Sequence, residues 1–199
     1  PLSEYLQRRG WECRVPTLPG HEGQLEHLHD TKYTDWLAAA TREAEWMAEK
    51  YGTFDLVGFS MGGLIASFLA VRFPVRKLVL LSTAVIYVSP RRLLDFALEQ
   101  IRHKDMTQVH KIRKTPLSAA LQFVKLVRAC RPEIRKVKVP ALIVQGEMDH
   151  IVHPYSASYL QKNLQGHCEV KRFPKSRHRV CLGAEAEQVC EAVYDFLRH

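Results

Sequence analysis

Ser60 stands in Gly58-Phe59-Ser60-Met61-Gly62, between an apolar run (Phe54 to Val57, then Phe59) and the small-residue run Leu64-Ile65-Ala66-Ser67-Phe68-Leu69-Ala70. A serine hydroxyl is a poor nucleophile at neutral pH and needs a base within hydrogen-bonding reach. The G-x-S-x-G pattern predicts a sharp turn from a buried strand into a helix, with the serine at its apex. Such a turn strains the serine's backbone, and Gly58 and Gly62 are expected to remove clashes with the strand and the helix. The helix would then point its unpaired N–H groups at whatever the serine attacks, and Met61 N–H is the expected oxyanion donor.

The base needs a third group to hold its tautomer and stabilise its charged form. Asp149 follows the apolar run 140–146, and His178 lies in the loop after the run 166–173. In a parallel α/β sheet the loops after the strands' carboxyl ends gather on one edge, so residues far apart in the chain can meet there. The order Ser60, Asp149, His178 is that of the α/β-hydrolase arrangement. Other residues compete. His150 and His153 follow the same strand as Asp149, His21 sits in a loop near residues 11–18, and Glu147 could replace Asp149. Taken alone, Asp149 would be a turn cap and His178 a solvated loop histidine.

The elements that must position these groups read as α/β layers. Residues 2–9 form a short amphipathic helix ended by Gly10, and residues 11–18 an extended run ended by Pro19-Gly20. Tyr33, Trp36, Leu37, Ala40, Ala44 and Met47 recur at helical spacing, with Asp30 or Thr34 as the expected cap. Residues 77–82 and 140–146 are continuous apolar runs, the mark of parallel strands covered on both faces. Helices are expected over 154–164 and 184–197, and the alternation predicts a mostly parallel sheet flanked by helices. From 88 to 138 the rhythm changes to helices at 91–103 and 116–130 with no strand between them. This suggests a small helical cap between core segments 1–87 and 139–199; a long two-helix crossover is the plainer alternative. Leu93, Leu94, Phe96, Leu117, Leu121, Phe123 and Val124 would line an acyl pocket or pack on the sheet.

The chain has 199 residues, 46% hydrophobic and 25% charged, which suits one domain with a sizeable core. Its formal charge of +8 is spread thinly, without the interleaved aromatics of a base-stacking surface, so no nucleic-acid partner is expected. No apolar run approaches a membrane span, so stable membrane insertion is not expected. Cys13, Cys130, Cys168, Cys181 and Cys190 form no CxxC pair and suggest neither a zinc site nor a disulfide framework. Reduced thiols in a cytoplasmic protein fit best.

Residues 54–70, 140–152 and 173–197 resemble the α/β-hydrolase superfamily, and within it the small bacterial carboxylesterase and monoacylglycerol lipase group. Pro16-x-Leu18-Pro19-Gly20-His21-x-Gly23 is similar to that group's Leu-Pro-Gly-His-Gly loop, with Glu22 extra, and Thr115-Pro116-Leu117 to its compact cap. The resemblance implies an α/β-hydrolase fold, nucleophile Ser60, acid Asp149, base His178, one oxyanion donor at Met61, a small-molecule ester substrate and neither cofactor nor metal. It also implies a strand and His-Gly loop upstream of the first helix, which this chain lacks; the sheet should then show a gap beside the elbow strand. The first residue is Pro1 and already reads as helix, so an upstream segment is expected. Arg177 and Arg179 flank His178 where the group has Ser-Gly before the histidine. Carboxylic ester hydrolysis is the leading expectation. A thioesterase or acyltransferase with the same triad, and a catalytically silent binding protein of this fold, stay open. The oligomeric state is not legible.

Overall fold

The computed structural model describes residues 1–21, 30–86 and 115–199. Twelve elements follow in order: α1 (Leu2–Gln7), α2 (Tyr33–Tyr51), β1 (Phe54–Phe59), α3 (Met61–Ala70), β2 (Val75–Leu81), α4 (Thr115–Cys130), a 3-10 turn (Glu133–Lys136), β3 (Ala141–Gly146), α5 (Tyr155–Asn163), β4 (Cys168–Phe173), a second 3-10 turn (Val180–Leu182) and α6 (Ala186–Arg198). The four strands lie in the order β1-β2-β3-β4, every pair parallel. The carboxyl ends of all four strands therefore share one edge. That edge is where the elbow, the Asp149 loop and the His178 loop emerge.

Alternation along the strands builds two cores. Phe54, Leu78, Leu80, Ala141 and Ile143 face the layer made by α2, α3, α4 and α5. Val79, Leu81, Leu142 and Val144 face the other way, onto α1 and α6. β3 is buried at every position, as its apolar run Ala141-Leu142-Ile143-Val144 requires, and the polar Gln145 is buried with it. The amphipathic α6 turns Val189, Val193 and Leu197 inward. Its last carbonyls, which a helix leaves without internal donors, are taken by cations from β2: Arg76 donates to Leu197 O (2.8 Å) and Lys77 to Phe196 O (2.6 Å). The α2 start differs from expectation. Lys32 is the N-cap, and its N–H donates to Asp35 Oδ2 at 2.8 Å, so the carboxylate works from inside the first turn.

Of the two helices read in 88–138, the first lies outside the described residues. The second is α4, and Phe123, Leu126, Val127 and Cys130 on it are buried in the main core. Phe123 is thus a packing residue, whereas Leu121 is 55% exposed; Leu93, Leu94, Phe96 and Leu117 cannot be placed, being outside the described side chains. Leu126→Ala should cost about 2–5 kcal/mol, because it empties a site with no solvent exposure. Leu121→Ala should cost less than about 0.5 kcal/mol. Urea unfolding of the two variants checks this, and equal small losses would show that α4 does not belong to the core.

Residues 11–18 are extended but join no strand. Pairing is what makes an extended segment a strand, and beside them lies a trench of about 890 Å³ instead of a neighbour. The trench runs along β1, which is an edge of the sheet among the described residues. Ala44, Ile65 and Leu69 line it from one layer and Leu2, Leu6 and Leu197 from the other. This is the gap anticipated beside the elbow strand.

Candidate active site

Ser60 has φ 52° and ψ −114°, a left-handed conformation costly for any residue with a Cβ. Three bonds on its own backbone hold it there. Its N–H donates to Leu81 O (2.8 Å) at the end of β2, and its carbonyl accepts from Ala84 N (3.2 Å) and Gly63 N (3.1 Å). The glycine argument needs one correction. A Cβ on Gly58 would lie 2.4 Å from Gly62 O, as expected, but a Cβ on Gly62 would meet nothing within 4 Å. The crowded second position is Gly63, where a Cβ would fall 2.0 Å from Thr83 Oγ1 on the segment leaving β2. The clash is thus between α3 and the chain after β2, a long-range approach that local turn geometry does not reveal.

His178 is 2% exposed and Asp149 6%. Asp149 Oδ2 lies 2.8 Å from His178 Nδ1, and His178 Nε2 lies 3.0 Å from Ser60 Oγ. With the carboxylate accepting from Nδ1–H, Nε2 is the nitrogen that can accept the Ser60 hydroxyl proton. Asp149 Oδ1 accepts the N–H groups of Ile151 (2.8 Å) and Val152 (2.9 Å). The residue is therefore a turn cap through one oxygen and the histidine's partner through the other. The Phe59 ring sits 5.0 Å from the imidazole, tilted by 44°. Met61 opens α3, so its N–H is among those a helix leaves without an internal acceptor.

The competing residues are engaged elsewhere. His153 Nδ1 accepts Tyr155 N–H at 3.1 Å, and His21 Nδ1 lies 3.2 Å from Pro19 O with its ring edge-on to Trp36. Glu147 and His150 are exposed, beside an Asp149 that is not.

Three supporting residues were not singled out in the sequence. Gln145 is 1% exposed, and its Nε2 lies 3.4 Å from Asp149 Oδ2 and 3.1 Å from Gly146 O. Gly146 lets the His178 loop approach β3, since a Cβ there would stand 2.4 Å from Ser176 O. Glu185 Oε2 accepts from Ser176 Oγ (2.7 Å) and Lys175 N (2.9 Å), anchoring that loop at its start. A polar residue in an otherwise apolar strand was the available signal for Gln145. Nothing local marks the other two.

A Gly-flanked serine, a buried histidine and a buried carboxylate at the carboxyl edge of a parallel sheet define a class. The chain belongs to the alpha/beta hydrolase family, whose model matches residues 1–192. It is similar to the thermostable monoacylglycerol lipase of Bacillus sp. (strain H-257), 25% identical over 208 aligned positions that cover 98% of this chain and 83% of the relative. It is similar too to the carboxylesterase of Bacillus subtilis (strain 168), 24% identical, with 98% and 85% covered. Among solved structures it resembles one described under "LipS and LipT, two metagenome-derived lipolytic enzymes", with TM-score 0.82, 22% identity, and 99% and 86% covered. The monoacylglycerol lipase of Paleococcus ferrophilus aligns with TM-score 0.69 and 16% identity, with 98% and 86% covered. At these identities the structural likenesses carry the fold alone.

Proposed function

We propose that the protein is a serine hydrolase that cleaves carboxylic esters of small molecules through an acyl-enzyme on Ser60. The observation that carries this reading is the unbroken hydrogen-bonded series from Ser60 Oγ through the His178 ring to Asp149, buried at its far end. Ser60 Oγ attacks the ester carbonyl while His178 Nε2 takes its proton. The imidazolium that forms is stabilised by Asp149, and it then returns the proton to the departing alcohol. Water, deprotonated by the same His178, attacks the acyl-enzyme and releases the acid. Proton transfer of this kind contributes roughly 10²–10⁴-fold. Met61 N–H stabilises the oxyanion of each tetrahedral intermediate, and one such donor is worth about 10²–10³-fold.

The names of the two Bacillus relatives favour short or medium-chain acyl esters or monoacylglycerols as substrates. The same triad would serve a thioesterase or an acyltransferase. The division into core segments 1–87 and 139–199 with a cap within 88–138 belongs to this reading, with α4 the part of that segment that packs into the main core. Among the described residues no helix is long and apolar enough to cross a membrane, in keeping with a substrate met from water.

Titration with a fluorophosphonate tests the reaction class. One equivalent should be taken up, with the adduct on Ser60. No labelling of the folded protein would leave it a silent member of its fold. Turnover of p-nitrophenyl esters of rising chain length, beside monoacylglycerols and acyl-CoA, then separates ester from thioester chemistry.

A further inference from the structure

The helix that follows the Asp149 loop carries a charge pattern that ester chemistry does not use. Ser156, Ala157 and Leu160 of α5 are buried, so helical periodicity turns Tyr155, Ser158, Tyr159 and Lys162 outward. The helix contains no Asp or Glu, and arginines from neighbouring segments are fixed along both of its flanks. On one flank Arg172 of β4 donates to Ser158 Oγ (2.9 Å) and to Pro154 O (3.4 Å). On the other, Arg131 donates to Tyr159 Oη (3.0 Å), its guanidinium 4.6 Å from the centre of that ring, and Arg135 donates to Asn163 Oδ1 (3.0 Å).

Every one of these acceptors is neutral, so each bond fixes a cation without cancelling its charge. Arg131 and Arg135 bond through Nε, which leaves their terminal NH₂ groups for a further acceptor. The nearby carboxylates are used or face away. Glu133 accepts from Arg72 (2.8 Å) and Lys136 (2.7 Å). On β4, Cys168 and Val170 turn with Arg172 towards α5, and alternation puts Glu169 on the opposite face. Among the described residues no carboxylate pairs with Arg131, Arg135, Lys162 or Arg172.

We propose that the outer face of α5 is a docking surface for anionic lipid bilayers, on which Arg131, Arg135, Lys162 and Arg172 meet headgroup phosphates and carboxylates. Fixed cations repel one another, and a sheet of negative charge relieves that repulsion; this complementarity selects the partner. A guanidinium fork also matches the oxygens of a phosphate. Tyr155, 59% exposed at the start of the helix, supplies an amphipathic ring suited to headgroup depth. Tyr155 is the one exposed aromatic of α5, too few for a strand of stacked bases, and a convex helix offers an acidic peptide no groove. Because α5 begins just after the Asp149 loop, docking holds the Ser60 rim of the sheet close to the bilayer. Electrostatic attachment of this kind needs no spanning segment.

The experiment is co-sedimentation of the full chain with phosphatidylcholine vesicles, with and without about 30% phosphatidylserine. Binding is expected to the anionic vesicles alone, and it should be lost between about 0.05 M and about 0.5 M salt as the charges are screened. Each of the four cations changed to glutamine should weaken binding by about fivefold, and all four together by more than about a hundredfold. Arg135→Gln with Lys162→Gln should cost about twenty-fivefold, whereas Arg8→Gln with Arg42→Gln, exposed cations on α1 and α2, should cost less than about threefold. Ser60→Ala should bind vesicles as the unsubstituted protein does, so failure of the ester reading leaves the docking surface standing. Should the fourfold variant fold poorly, the salt series and Lys162→Gln decide, since that ammonium makes no bond among the described residues. Equal binding to neutral vesicles, binding to neither, equal losses in the two double variants, or tighter binding to an oligonucleotide at the same salt would overturn the proposal.

Discussion

Ser60→Ala is expected to lower ester turnover by roughly 10⁵-fold or more and to abolish fluorophosphonate labelling, with little change in stability. The loss is large because, in the proposed mechanism, the hydroxyl forms the covalent intermediate, so no remaining group can take its place. Stability should hold because alanine keeps the Cβ and the backbone bonds to Leu81 O, Ala84 N and Gly63 N do not involve the side chain. Ser60→Gly should be equally inactive but up to about 1 kcal/mol more stable than Ser60→Ala, since glycine adopts φ 52° without a steric penalty. The measurements are initial rates with a p-nitrophenyl ester and urea unfolding of both variants. Turnover in Ser60→Ala within a factor of ten of the unsubstituted protein would assign the chemistry to another group.

Asp149→Asn should lower the labelling rate at Ser60 by about 10⁴-fold while the protein stays folded. The turn caps decide why. Oδ1 accepts N–H groups from Ile151 and Val152, so an asparagine must put its amide oxygen there and turn its NH₂ towards His178 Nδ1. Nδ1 then has to accept, the ring proton moves to Nε2, and the imidazole presents a donor to Ser60 Oγ where an acceptor is needed. The geometry survives and the tautomer is wrong. Stopped-flow labelling beside a melting curve distinguishes this from unfolding. A loss smaller than tenfold in a folded variant would mean that the carboxylate neither orients nor stabilises the histidine.

Much of this arrangement was legible in the sequence, because the relevant signals are local. The apolar runs at 77–82 and 140–146 foretold strands covered on both faces, and β2 and β3 lie there; the run at 54–57 became β1, but Val57 and Phe59 on it are exposed rather than buried. Gly58-x-Ser60-x-Gly62 marked the turn, and the order of Ser60, Asp149 and His178 was enough to expect them on one rim. The strand end that carries each residue is a local property, and a parallel sheet brings such ends together whatever the side chains are.

Other features depend on segments distant in the chain, and only the tertiary structure decided them. Gly63 faces Thr83 and Gly146 faces Ser176, approaches set by how α3 and the His178 loop pack rather than by any turn formula. Glu185 anchors a loop nine or ten residues earlier. Residues 11–18 have the alternation of a strand, yet a strand needs a partner and the trench beside β1 supplies none among the described residues. Residue type and periodicity determined which groups can react and which end of which element carries them. The packing of two helical layers on the sheet determined how near they come, since hydrogen bonds of about 3 Å depend on contacts that no stretch of sequence contains by itself.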